Sequence, residues 1–232
     1  MNMNRKEFET VLLSNSCFEF WIKKNKNEVA NLLGQDVANM VNFNQDNPHH
    51  CYNLFEHSLR VVENCRSLGD DRDVLLLTAG FYHDIGKITT VKRKKDRLVF
   101  YGHAKESSKI ADKILNEMGG YSSEDIDVIK FYIKYHDLFI SYVLPEEDYD
   151  KTNNFLKEIN VYNVCNEIDA INKTISYEHW FNVLIWKKLM LLCRADIEAQ
   201  SEFVIQNGKV IDSKEHKLKK IVAIESIIKN NL

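Results

Sequence analysis

The chain has 232 residues, 31 basic and 34 acidic, for a net charge of -3, with 44% apolar and 28% charged side chains. That balance fits one large globular domain and excludes a global field directed at nucleic acid, so any basic site must be local. No apolar run reaches the eighteen or so residues that span a bilayer, and the opening stretch has no apolar core of a secretory signal, so no membrane partner is expected.

The five cysteines stand apart with no CxxC pair, which argues against a disulfide framework or a thiolate zinc site and predicts a reducing, cytoplasmic setting. Two prolines and eight glycines suit long helices. Over residues 1–45, Phe8, Val11 and Leu12, then Phe18, Trp21 and Ile22, then Val29, Leu32, Leu33, Val37 and Met40 recur at helical spacing. They predict an N-terminal brace of two or three short helices, followed by a loop through Asn42–Pro48. From Asn53 to Leu68 a stripe of Leu54, Val61, Cys65 and Leu68 includes His57. Asp73 to His83 is apolar almost all round, the mark of the most buried helix, and it ends on His83-Asp84 with Gly86 two residues on.

Residues 88–102 lose the helical period and predict a loop or small hairpin around a Lys95-Asp96 tip. A helix is expected from His103 to Met118, closed by Gly119-Gly120. Ser122 followed by Asp125 reads as a cap for the next helix, which carries His136 on the face of Ile126, Ile129 and Ile133. Helices at about 152–166 and 178–201, a turn at Asn207-Gly208, and a last helix from about 214 to 230 complete an all-α reading. The implied organisation is a brace over 1–45, a main helical bundle over 46–205, and a C-terminal helix over 206–232 packed on the same domain.

Four polar residues sit where core residues are expected: His57, His83, Asp84 and Asp196, the last on a face with Leu189, Leu192 and Cys193. Burying them unpartnered costs a few kcal/mol each. Each alone has a plain reading: a hydrogen-bonded core histidine, a helix-end aspartate, an Asp196–Arg194 pair. Together they are a ligand set, because imidazole and carboxylate are what a divalent transition ion accepts.

The segments EHSLRV, AGFYHDIGK, FYGHAKES, YHDLF and LLCRADIEAQ resemble the HD-domain phosphohydrolase superfamily over roughly residues 42–200. The nearest resemblance, including the entry NPHHCYNLFEH, is to the HD domain of bacterial CCA-adding tRNA nucleotidyltransferases. It implies an all-α HD-domain bundle with a short loop or hairpin after the HD motif. It also implies one or two divalent ions per chain (Mn, Ni, Co, Fe or Mg) held by His57, His83, Asp84 and Asp196. His103 and His136 match histidines that bind a second metal or the phosphate, and Asp84, Lys87, His103 and His136 form the catalytic group. Lys87 matches a phosphate-contacting lysine, and His50 a histidine ahead of the first metal helix. The nucleotidyltransferase head of those enzymes has no counterpart before residue 45, so nucleotide addition is not expected.

The implied substrate is a nucleotide or RNA-end phosphate, a 2′,3′-cyclic phosphodiester or a phosphomonoester. The alternatives are a nucleoside 5′-monophosphate phosphatase and an RNA- or nucleotide-binding module without turnover. Lys92, Arg93, Lys94, Lys95 and Arg97 place five cations in six positions just after the motif. Such a run reads either as a solvated loop or as a phosphate clamp, with Arg93 counted as a substrate contact beside His50 and Lys87. Phe100 and Tyr101 either offer a stacking face for bases or anchor the loop. His49, His179 and His216 have no assigned part.

Overall fold

The computed structural model describes residues 2–69, 73–95, 97–142, 144, 147–148, 150–154, 164–175, 180–206 and 209–231. Chain polarity and capping set the first elements. Helices α1 (Arg5–Leu13) and α3 (Lys26–Leu33) each open on an asparagine that forms a capping box with a glutamate, Asn4 with Glu7 and Asn25 with Glu28. Between them lies α2 (Cys17–Ile22), and α4 (Gln35–Ala38) follows Gly34, whose φ of 89° ends α3 in a conformation only glycine adopts freely. Phe8 and Trp21 are buried and meet Phe81 at ring-centroid distances of 5.2 and 5.7 Å. The brace is therefore fastened to the helix that ends in the HD pair.

That helix, α6 (Val74–Tyr82), is capped by Asp73, whose carboxylate accepts from the amides of Leu75 and Leu76. It packs against α5 (Leu54–Gly69), which buries His57 together with Leu54, Leu59, Val61 and Cys65. Leu68, expected on that stripe, is instead nearly half exposed. A turn at residues 83–86 leads to a short helix, α7 (Lys87–Thr90), and then to an antiparallel hairpin of β1 (Lys92–Lys94) and β2 (Arg97–Val99). Helices α8 (His103–Met118), α9 (Ser123–Tyr135) and α10 (Leu138–Ser141) follow, with Ser122 and Asp125 forming the anticipated capping box.

The helix anticipated at about 152–166 falls partly outside the described residues. What is described there is helical at 150–154 and again in α11 (Val164–Ile175). Helix α12 (Trp180–Glu198) packs on α5, α6 and α9, and α13 (Ser213–Asn231) packs on α12. A second hairpin, β3 (Phe203–Gln206) with β4 (Lys209–Asp212), precedes α13 and was not anticipated. Among the described side chains of β3 Val204 alone is buried, so the apolar alternation that betrays a half-buried strand is too short to read. The anticipated turn at Asn207-Gly208 lies outside the described residues. The bundle is all-α apart from these two hairpins, and its buried apolar residues form one cluster reaching from Met3 to Ile224.

Candidate metal centre

Five helices deliver side chains to one point. His57 sits in the first turn of α5, its amide bonded to the Asn53 carbonyl. His83 caps the C-terminus of α6, and the turn after it aims Asp84 back beneath the helix end. Gly86 closes that turn. A Cβ at Gly86 would lie 2.5 Å from both the His103 carbonyl oxygen and the Ser107 nitrogen, so α8 approaches this far only against glycine. The Gly86 amide donates to Ser107 Oγ at 2.9 Å, completing the contact. His103 opens α8 after Gly102, which holds a left-handed φ of 76°. His136 caps the end of α9, and Asp196 comes from the last turn of α12.

His57, His83, Asp84, His136 and Asp196 are all buried, and His103 nearly so. Two groups of ligand atoms form, each with every atom within 4.8 Å of the others: His57, His83, Asp84 and Asp196, and Asp84, His103 and His136. In the first, His57 Nε2 is 3.0 Å from Asp196 Oδ1 and 3.4 Å from Asp84 Oδ2, and His83 Nε2 is 3.2 Å from Asp84 Oδ2. In the second, Asp84 Oδ1 is 3.1 Å from His103 Nε2 and 3.6 Å from His136 Nε2. Asp84 thus offers one oxygen to each group.

The tautomers decide what fits between them. Each of the four rings has its Nδ1 against a backbone carbonyl: His57 on Ala199 at 3.3 Å, His83 on Gly80 at 2.7 Å, His103 on Phe100 at 3.0 Å, His136 on Ile133 at 2.7 Å. A carbonyl only accepts, so every Nδ1 carries the proton and every Nε2 of a neutral ring presents a lone pair. Yet the His57 and His83 Nε2 atoms are 3.3 Å apart, as are those of His103 and His136. Lone pairs and carboxylate oxygens that face one another need a cation between them. Asp84 Oδ1, buried without a hydrogen-bond donor of its own, says the same. The donor set, two imidazoles and two carboxylates beside two imidazoles and a shared carboxylate, fits divalent ions, and the carbonyl partners are the orienting contacts that metal-bound histidines need.

Electrostatics follows that geometry. Burial pulls the His83 imidazole down, but the carboxylates of Asp84 and Asp196 outweigh it and raise its pKa to about 9. His57 is raised by the same pair against the same burial, and His136 by Asp84. Burial pushes both aspartates up, yet the cations and imidazoles around them hold both well below the usual carboxylate range: Lys87 and His83 for Asp84, His57 and His83 for Asp196.

Lys87 is buried, not the surface lysine a short charged stretch suggests. Its Nζ lies 2.6 Å from Asp84 Oδ2 and donates to Gln45 Oε1 at 2.9 Å and His50 Nε2 at 3.3 Å. His50 differs from the four clustered histidines, since its Nε2 accepts from Lys87 and its buried Nδ1 has no partner. Burial and the nearby Lys87 push its pKa well below the ordinary value. Arg93 is not brought into the cluster: it is exposed on β1 and pairs with Asp46 at 2.8 Å. Arg194 pairs with Glu225 and leaves Asp196 to the histidines. His49 bonds Ser213, His216 is half-buried beside Glu147, and His179 lies outside the described residues.

Two supporting residues escaped the sequence reading. Gln45 holds Lys87, and Gln200 donates to Asp196 Oδ1 at 3.1 Å. Both are uncharged side chains in irregular or helix-end positions, where no periodicity marks them.

The fold and site define a helical bundle around a buried histidine–aspartate cluster that fits a divalent metal. Residues 54–163, a little under half of the chain, match the family model of the HD domain. The match includes His57, His83, Asp84, His103 and His136. Asp196 lies beyond it, and its place in the ligand set rests on the geometry alone. A search of curated proteins found no match. Among the described residues, no helix is long and apolar enough to cross a membrane.

Proposed function

We propose that the chain is a divalent-metal phosphohydrolase acting on nucleotide phosphate esters, with 2′,3′-cyclic phosphodiesters or phosphomonoesters as substrates. The observation that carries this is Asp84 placed between two facing imidazole pairs, one oxygen toward each. His57, His83, Asp84 and Asp196 would hold one ion, and Asp84, His103 and His136 a second. Metal held there supplies Lewis acidity and an activated water at neutral pH.

The chain's own groups do the rest. Lys87 carries an ammonium into the centre at the edge of the first group, where it balances charge on a phosphate oxygen. Gln45 and His50 hold that ammonium in place. If only one ion binds, His103 or His136 is placed to pass a proton to the leaving oxygen. The burial of Asp84 and Lys87 keeps bulk water from screening either interaction.

The reading is tested with bis-p-nitrophenyl phosphate and 2′,3′-cAMP in the presence of Mn, Ni, Co, Fe or Mg. Turnover that depends on the metal and disappears in Asp84→Ala is expected. No hydrolysis with any metal, or hydrolysis indifferent to Asp84→Ala, would remove it.

A further inference from the structure

An open cleft of about 630 Å³ is lined by Asp46, Asn47, Pro48, Lys94, Lys95, Arg97 and Ile205. Asp46 is neutralised by Arg93 at 2.8 Å. Among the described residues, Lys94, Lys95 and Arg97 have no carboxylate within ion-pair distance, so the cleft presents three uncompensated cations.

The cleft shares a chain segment with the site. The Asp46 carbonyl accepts from the Leu98 amide at 2.9 Å, and Asn47 Nδ2 donates to the Leu98 carbonyl at 3.1 Å, so segment 45–50 is clasped to the basic hairpin. The same segment supplies Gln45 and His50, the two groups that hold Lys87 against Asp84. On its other side His49 bonds Ser213 at the start of α13. Lys217 of α13 bonds Gln200, which in turn bonds Asp196. Arg97 and Lys217 both lie close enough to His49 to reinforce what burial does to its imidazole, a pKa lowered to about 4. Cations therefore recur from the hairpin tip to the metal ligands: Lys94, Lys95, Arg97, Lys217, Lys87.

One phosphate needs one or two of these, and five in succession suit a chain of phosphates. The far wall is apolar. Ile205 is 74% exposed, and Phe203 lies on the same face of β3, opposite buried Val204, and is 54% exposed. Cations along a backbone track with an exposed aromatic beside it are what a single-stranded polynucleotide engages without reading its sequence.

Resting on the phosphohydrolase reading for the chemistry, we infer that the substrate is the end of a single-stranded polynucleotide, whose upstream phosphates lie in the cleft between the two hairpins. Its terminal phosphate reaches the metal centre past Lys217 and Lys87.

The test separates binding from turnover. Affinity of the full chain for a fluorescein-labelled oligouridylate is measured by anisotropy across a salt series, for the wild type and for a Lys94→Ala/Lys95→Ala/Arg97→Ala variant. The expected result is binding that weakens steeply with salt. The triple variant should bind roughly tenfold more weakly, with a log–log salt slope reduced by about two, since each phosphate contact to a single strand contributes about 0.7. The ratio of oligonucleotide to bis-p-nitrophenyl phosphate turnover should fall by a similar factor. Wild-type protein that ignores the oligonucleotide, or a variant that binds within twofold of it on the same salt slope, overturns the inference. Absence of all hydrolysis alongside intact salt-dependent binding overturns the phosphohydrolase reading instead and leaves the cleft assignment standing.

Discussion

His57 Nε2 and His83 Nε2 face each other at 3.3 Å across the bundle, each ring oriented by a backbone carbonyl on its opposite nitrogen. Neither atom can donate to the other while both rings are neutral. The contact is stable only around a positive charge, a metal ion or a proton, and that makes the centre testable from several directions.

Asp84 joins both ligand groups, so its loss should be felt at both. Asp84→Ala should lower metal affinity by at least about 100-fold, the upper end of what removal of a mere orienting contact costs. Asp196→Ala removes a ligand from only one group. Elemental analysis of the purified variants should find metal depleted more severely in Asp84→Ala than in Asp196→Ala. Equal metal content in the wild type and Asp84→Ala would refute the shared-ligand geometry.

The protonation of His83 gives the protein a pH signature. Its pKa is about 9 in the fold, where burial is outweighed by Asp84 and Asp196, against an ordinary 6.5. The folded state therefore binds more protons than the unfolded state between those values. With metal stripped by a chelator, this contribution is complete below pH 6.5 and is lost as pH rises toward 9, roughly 3 kcal/mol in all. Lys217, brought down to about 8 by burial, acts in the opposite sense above pH 8, so the fall is clearest from 6.5 to 8. A metal ion competes with that proton, so affinity for metal should climb over the same window. Denaturant titrations at several pH values should show stability falling from pH 6.5 to 8 without metal and a nearly flat profile over that window with saturating metal.

Gly86 is required by proximity, not by its backbone angles, which are ordinary for a helix. Gly86→Ala would drive a methyl group into the His103 carbonyl and the Ser107 amide, both 2.5 Å from the new atom. Since both are backbone atoms, α8 must move and carry His103 with it. A loss of about 1–3 kcal/mol in stability is expected, as for other overpacked sites. Metal titration should show the Asp84–His103–His136 group weakened first.

Lys87 can be told apart from the ligands by splitting binding from turnover. Lys87→Met keeps much of the buried stem and removes the charge that competes for Asp84 Oδ2. Metal should bind at least as tightly, while kcat/KM on bis-p-nitrophenyl phosphate drops about 100-fold, the typical effect of losing one preorganised charge donor. Calorimetric metal titration and steady-state kinetics on the same preparation give both numbers. A variant that loses metal in step with activity would make Lys87 a structural support of Asp84.

Much of this centre is legible in one dimension because burial is. His57 interrupts an apolar stripe, His83 and Asp84 close a helix that is apolar on every side, and Asp196 shares a face with Leu189 and Leu192. A polar side chain placed where water cannot reach it announces a partner, and helical periodicity is enough to find such places. Arg93 shows the limit. Its position in a run of cations is visible, but the carboxylate that occupies it, Asp46, comes from a loop 47 residues earlier.

The sequence by itself determined the helices, the inward-facing imidazoles and carboxylates, and the hairpin of charge after the HD pair, because periodicity and capping act over a few residues. Tertiary structure alone decided that Asp84 splits its two oxygens between two imidazole pairs, that Lys87 is drawn inward by Gln45 and His50, and that the second hairpin meets the first across a cleft. Those relations depend on the direction in which helix ends point when apolar faces pack, and nothing in local spacing encodes that direction.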